Sequence, residues 1–131
     1  MFMGGGSAHR HRMLVVDDER VIRFALQSYF GAQGVSVDCA AESEQALRMI
    51  AQNDYDIVIA DLRLSGTSSE EGLDVIRAAR KQNAKTRVIL LTAYRTAAVD
   101  QTARDLGVDM LLHKPKPLSQ LAQAVFALLQ S

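Results

Sequence analysis

Short apolar runs alternate with stretches of helical spacing along almost the whole chain. Met13 to Val16 is an apolar run that ends in Asp17-Asp18 and reads as a buried strand. Ile22, Ala25, Leu26 and Tyr29 then share one helical face, and that stretch stops around Gly31 and Gly34. Val35 to Ala40 reads as a second strand. Ser43 is placed to cap a helix that carries Ala46, Leu47 and Ile50. Ile57 to Ala60 is a third strand ending in Asp61. A polar loop, Ser65 to Ser69, leads into a helix with Leu73, Ile76 and Ala79. Val88 to Leu91 is a fourth strand and ends in Thr92. Thr96 caps the next predicted helix, with Val99, Ala103 and Leu106 inward and Gly107 at its end. Met110 to Leu112 is a fifth strand, followed by His113-Lys114-Pro115. A last helix runs from about Leu118 to Leu129.

Five strands alternating with five helices predict a doubly wound α/β fold with a parallel sheet and helices on both faces. Near-continuous apolar strands fit a sheet covered on both sides, and right-handed crossovers leave few topologies. At 131 residues the chain reads as one domain, beginning near Arg12 and running to residue 130. Residues 1–11 read as a flexible tail. His9 and His11 there could ligate a metal, and the plainer alternative is a solvated tail or an expression scar.

Composition narrows the function. Fifteen basic and fifteen acidic side chains cancel, so the basic excess of a nucleic-acid binder is missing. No apolar run approaches the ~20 residues of a membrane span. The single cysteine, Cys39, has no internal disulfide partner and suits a reducing cytoplasm. It reads more readily as a small buried hydrophobe than as a nucleophile.

In open parallel sheets, ligands bind beyond the carboxyl ends of the strands. Those ends carry Asp17 and Asp18, Asp61, Thr92 and Lys114. Brought together, the carboxylates repel: two unit charges ~4 Å apart cost ~4 kcal/mol at an effective dielectric of ~20. Such a cluster calls for cations. Hard oxygen ligands suit Mg²⁺, Lys114 adds a second positive charge, and Thr92 offers a hydroxyl. This set is equipped for phosphoryl transfer onto a carboxylate. Singly, each residue has a plainer reading: a helix cap, a loop aspartate, a strand threonine, a surface lysine.

Taken together, the residues resemble the receiver domains of two-component response regulators. The resemblance covers about residues 12 to 130. It rests on LVVDDE at Leu14 to Glu19, DIVIADLRLSG at Asp56 to Gly66, LLTAY at Leu90 to Tyr94, and HKP at His113 to Pro115. It implies a five-stranded sheet of order 2-1-3-4-5 and Asp61 as phosphoacceptor. It implies Mg²⁺ held by Asp17, Asp18, Asp61 and the Arg63 carbonyl, with Thr92 bonding the phosphoryl group and Lys114 pairing with it. The Lys114-Pro115 peptide is expected to be cis. The implied donor is a sensor histidine kinase or a histidine phosphotransfer protein. The protein would be a signalling acceptor that catalyses its own phosphorylation and dephosphorylation rather than a turnover enzyme. A downstream effector or a second copy would use the face from the fourth to the fifth helix. The broad apolar arc of the last helix fits either such a surface or ordinary core.

Three positions depart from the family pattern. Ser65 stands where proline is frequent, the stretch Thr67 to Glu71 is longer than usual, and Leu111 replaces the usual aromatic residue three before Lys114. Two bulky residues, Arg63 and Tyr94, flank the acceptor and are expected to slow hydrolysis of the phosphoryl group. Two rival readings are an aspartate-nucleophile phosphohydrolase, which would want an Asp where Arg63 stands, and a phosphorylation-independent interaction module, suggested by Leu111.

Overall fold

The structure, a computed structural model, describes residues 10–64 and 70–130. Ten elements alternate: β1 (Arg12–Val16), α1 (Arg20–Ala32), β2 (Ser36–Ala40), α2 (Ser43–Gln52), β3 (Ile57–Asp61), α3 (Glu71–Gln82), β4 (Arg87–Thr92), α4 (Ala97–Asp105), β5 (Met110–His113) and α5 (Leu118–Leu129). All strand pairs are parallel and the order is β2-β1-β3-β4-β5. The sheet order and the elements therefore agree with the sequence reading to within a residue or two at their ends.

The strands are apolar on both faces because each face has its own core. Side chains alternate along a strand, so Leu14, Val16, Val58, Ala60, Val88 and Leu90 point into one cluster with residues of α2, α3 and α4. Met13, Val15, Ile57, Ile59, Ile89 and Leu91 point into the other, with Leu26 and Phe30 of α1 and Leu121, Ala122 and Val125 of α5. The wide apolar arc of α5 is absorbed there: Leu118, Phe126, Leu128 and Leu129 are partly buried against the same cluster.

Local details differ from expectation in two places. Ser43 is the first residue of α2 rather than its cap; Glu42 occupies the cap position without a side-chain bond. The Ser43 hydroxyl instead reaches Glu71 Oε2 at 3.4 Å, and Gln45 Oε1 accepts from the Ala41 N–H. Gly31 lies within α1, and the chain turns at Gly34, whose φ of 88° is open to glycine at no steric cost. Thr96 does cap α4, its Oγ1 accepting from Val99 N at 3.1 Å. The Lys114-Pro115 peptide is cis. The polar loop Ser65 to Ser69, and with it Ser65 and most of the longer stretch, lies outside the described residues, as does His9.

One glycine fixes how α3 meets the sheet. The Gly72 N–H donates to the Leu62 carbonyl at 2.9 Å. A Cβ built on Gly72 would lie 2.0 Å from the Asp61 carbonyl oxygen and 2.9 Å from Leu62 Cα. The first turn of α3 is thus seated against the backbone of the residue that ends β3. Backbone cannot step aside as a flexible side chain can. Gly72→Ala is expected to destabilise the fold by about 3 kcal/mol, the upper range of overpacking, and to lower the melting temperature by roughly 10 °C. An unchanged melting curve would mean that α3 is free to move outward.

Candidate functional site

Register brings the strand ends to one edge. Val16 pairs with Ala60, so Asp17 and Asp61 follow at the same level. Asp61 pairs with Leu91, which puts Thr92 one step on. Thr92 pairs with His113, and the Lys114 N–H donates to the Thr92 carbonyl at 2.8 Å. The sheet order reverses between β1 and β3, where open α/β sheets form their crevice.

There Lys114 gathers three carboxylates. Its Nζ lies 2.8 Å from Asp17 Oδ2, 3.2 Å from Asp61 Oδ2 and 3.3 Å from Glu19 Oε2. Asp17 is buried and is further held by the Glu19 N–H, which donates to its Oδ1 at 2.9 Å. Asp61 is 6% exposed, and its Oδ1 is buried without a hydrogen-bond partner among the described residues. Asp18 is exposed at the rim. Carboxylate oxygens of Asp17, Asp18 and Asp61 lie within 4.8 Å of one another. Three hard oxygen donors and one orphaned buried carboxylate oxygen suit a divalent cation such as Mg²⁺ or Ca²⁺.

The electrostatics are unbalanced. Burial pushes Asp61 up to about 6; Lys114 opposes this, and Asp17 adds to it. Burial likewise raises Asp17 against the pull of Lys114. Burial alone would lower Lys114, but Asp17 and Asp61 outweigh it and hold the ammonium above its usual range. One lysine does not fully compensate the carboxylates around it.

A cleft of about 600 Å³ opens beside this cluster, with Asp18, Asp61, Arg63, Tyr94 and Lys114 at its polar end. Ile22, Ala25 and Leu26 of α1 and Leu118 and Leu121 of α5 line the rest. Thr92 is fully buried behind the mouth, its Oγ1 accepting from the Tyr94 N–H at 2.9 Å. The Arg63 guanidinium stacks over the Tyr94 ring, 3.9 Å from its centroid.

The predicted residues are therefore placed together: Asp17, Asp18, Asp61 and Lys114 in one cluster, Thr92 and Arg63 next to it. Leu111 packs into the core on the α2, α3 and α4 side. Cys39 is half-buried, with Sγ 3.8 Å from the Arg23 carbonyl oxygen, and burial pushes its thiol up, against a nucleophilic role. His11 Nδ1 lies 3.8 Å from Asp56. Sequence reasoning missed Glu19 as a third partner of Lys114 and Gly72 as the seat of α3. A glycine in the first turn of a helix was the available signal for the second.

The raised Asp61 value makes a stability prediction for the metal-free protein. The folded state holds this proton more tightly than the unfolded chain, so ionisation destabilises it. Stability falls as pH rises from about 4 to about 6, and the full cost is present above that window. In chelator, Asp61→Asn is expected to be more stable than the parent at pH 7.5, by about 1–3 kcal/mol. The advantage should vanish near pH 4; denaturation curves at the two pH values check it.

The response regulator receiver domain family matches residues 13–126. The two-component response regulator PhoP of Pseudomonas aeruginosa is 33% identical over 119 residues, which is 91% of this chain and 52% of that protein. The transcriptional regulatory protein DltR of Streptococcus agalactiae is 34% identical over 110 residues, 84% of this chain and 48% of that one. The chain spans about half the length of these curated relatives. A CheY-like receiver domain from Methanospirillum hungatei shares the fold, with a TM-score of 0.86 at 22% identity, covering 93% of this chain and 95% of that one. A response regulator from Burkholderia pseudomallei, solved with a phosphorylated aspartic acid, calcium and citrate, superposes with a TM-score of 0.78 at 26% identity, over 92% and 67% of the two chains. With its parallel sheet, its aspartate cluster and its lysine, this chain belongs to the receiver domains of two-component response regulators.

Proposed function

We propose that Asp61 accepts a phosphoryl group from a phosphohistidine donor, a sensor histidine kinase or a histidine phosphotransfer protein, in a Mg²⁺-dependent step. The observation that carries this reading is the buried, under-compensated Asp61 carboxylate, fixed by Lys114 beside two further aspartates. A carboxylate oxygen attacks phosphorus, a P–O bond forms, the P–N bond breaks, and its electron pair stays with the imidazole. Mg²⁺ would be held by Asp17, Asp18, Asp61 and the Arg63 carbonyl, where it would neutralise charge on the phosphoryl oxygens. Lys114 stays protonated beside Asp17 and Asp61 and supplies a fixed positive charge to the same oxygens. The buried Thr92 hydroxyl has its proton to donate to them.

The protein is on this reading a cytoplasmic signalling acceptor whose phosphorylated state shifts a conformational equilibrium and so changes partner binding. No helix among the described residues is long and apolar enough to cross a membrane. Val21 and Phe24 are 79% and 69% exposed on α1, the helix whose Ile22, Ala25 and Leu26 line the cleft; they would offer the donor an apolar footing. A downstream effector or a second copy would use the face from α4 to α5. DNA binding is assigned to none of these residues, and residues 12–130 form the receiver unit.

Incubation with acetyl phosphate and Mg²⁺ is expected to give a single phosphoryl adduct by intact mass, absent in chelator and in Asp61→Asn. No adduct, together with no binding of a fluoroberyllate mimic, would overturn the reading. After removal of the donor, the adduct should decay several-fold faster in Arg63→Ala and Tyr94→Ala, because both side chains shield it from attacking water. Equal decay in all three proteins would remove that role from the pair.

A further inference from the structure

Arg63 is a cation whose side chain pairs with no carboxylate among the described residues, and it lines a site that is short of positive charge. Its guanidinium lies over the Tyr94 ring, 3.9 Å from the centroid, and its Nε is buried without an acceptor among the described residues. A ring face is a weaker partner for a guanidinium than an oxyanion, which it can grip through two parallel N–H bonds. Arg63 follows Asp61 by two residues and lines the same cleft as Asp61 and Lys114. Lys114 already serves Asp17, Asp61 and Glu19. A dianionic phosphoryl group on Asp61 would add charge that Lys114 is not free to meet alone.

Tyr94 is tied to the site a second time. Its backbone N–H donates to Thr92 Oγ1 at 2.9 Å, while its ring is 48% exposed. The Thr92 hydroxyl and the Arg63 guanidinium thus both end on Tyr94. Leu111 has no hydroxyl and packs against the core cluster beneath α2, α3 and α4, whereas the β4–α4 connection carries both the Thr92 contact and the Arg63–Tyr94 stack.

We propose that Arg63 is a second cationic ligand of the phosphoryl oxygens, stored against Tyr94, and that an oxyanion on Asp61 draws the guanidinium off the ring and releases Tyr94. The inference rests on Asp61 being the acceptor. Phosphorylation then changes the exposed surface between β4 and α4 through the pair Arg63–Tyr94. Lys116 also lines the cleft and is the rival cation.

The test is ring-¹³C tyrosine NMR with Mg²⁺ and fluoroberyllate as the probe. The chain has three tyrosines, and Tyr94→Phe identifies the resonance of interest. Tyr29 and Tyr55 report that each variant remains folded. Saturating probe should shift the Tyr94 resonance in the parent and in Lys116→Ala. In Arg63→Ala the resting resonance should already be displaced and the probe-induced shift lost. Probe affinity should fall about tenfold in Arg63→Ala, the scale of one charge-assisted contact, and recover in part in Arg63→Lys. Probe binding with Tyr94 unmoved, with an equal shift in Arg63→Ala, or with affinity unchanged in that variant would overturn the inference and leave the acceptor reading standing. Loss of the shift in Lys116→Ala but not in Arg63→Ala would also overturn it. Failure of the parent to bind the probe would overturn both.

Discussion

The contact of Lys114 with Asp17 and Asp61 is the constraint around which the rest of the site is arranged. Residues 97 and 53 positions apart in sequence are held at 2.8 and 3.2 Å, and they meet because the parallel sheet brings the carboxyl ends of β1, β3 and β5 to one edge, across which the Lys114 side chain reaches. Burial makes every charge in this cluster costly. The lysine offsets part of that cost, and burial still leaves the Asp61 carboxyl raised. Residual negative charge in a partly enclosed site favours a divalent cation.

The scaffold around the cluster is stiff where position matters. Asp61 ends a strand buried along its whole length, and Gly72 lets α3 touch its carbonyl directly. Asp17 is fixed by the Glu19 N–H and, through its carbonyl, by Arg23. The Asp61 carboxylate is thereby held still while the cleft beside it stays open between α1 and α5. On the proposed reading, a fixed carboxylate beside an accessible apolar opening suits transfer from a protein-borne donor better than the enclosed pocket of a hydrolase for small esters would.

The same edge of the sheet also joins buried and exposed groups. Thr92 is buried, yet its hydroxyl accepts from the backbone of Tyr94, whose ring faces solvent under Arg63. One residue pair therefore joins a fully buried group to the exterior within two positions of β4. Leu111 has no comparable connection, because it belongs to the packing beneath α2, α3 and α4.

The sequence alone determined the alternation of elements, the two-faced burial of the strands and the identity of the strand-end groups. These follow from hydrophobic periodicity and from polar residues that interrupt it, both local properties of the chain. Asp17, Asp61, Thr92 and Lys114 were legible because each sits where an apolar run stops. Tertiary structure alone decided that Glu19 would join Lys114, that Ser43 would bond Glu71 rather than cap α2, and that Gly72 would lie against Asp61. It also decided that the apolar arc of α5 would be spent on the core and that Arg63 would rest on Tyr94. Each of these depends on how close two distant backbones approach, which spacing along one chain does not encode.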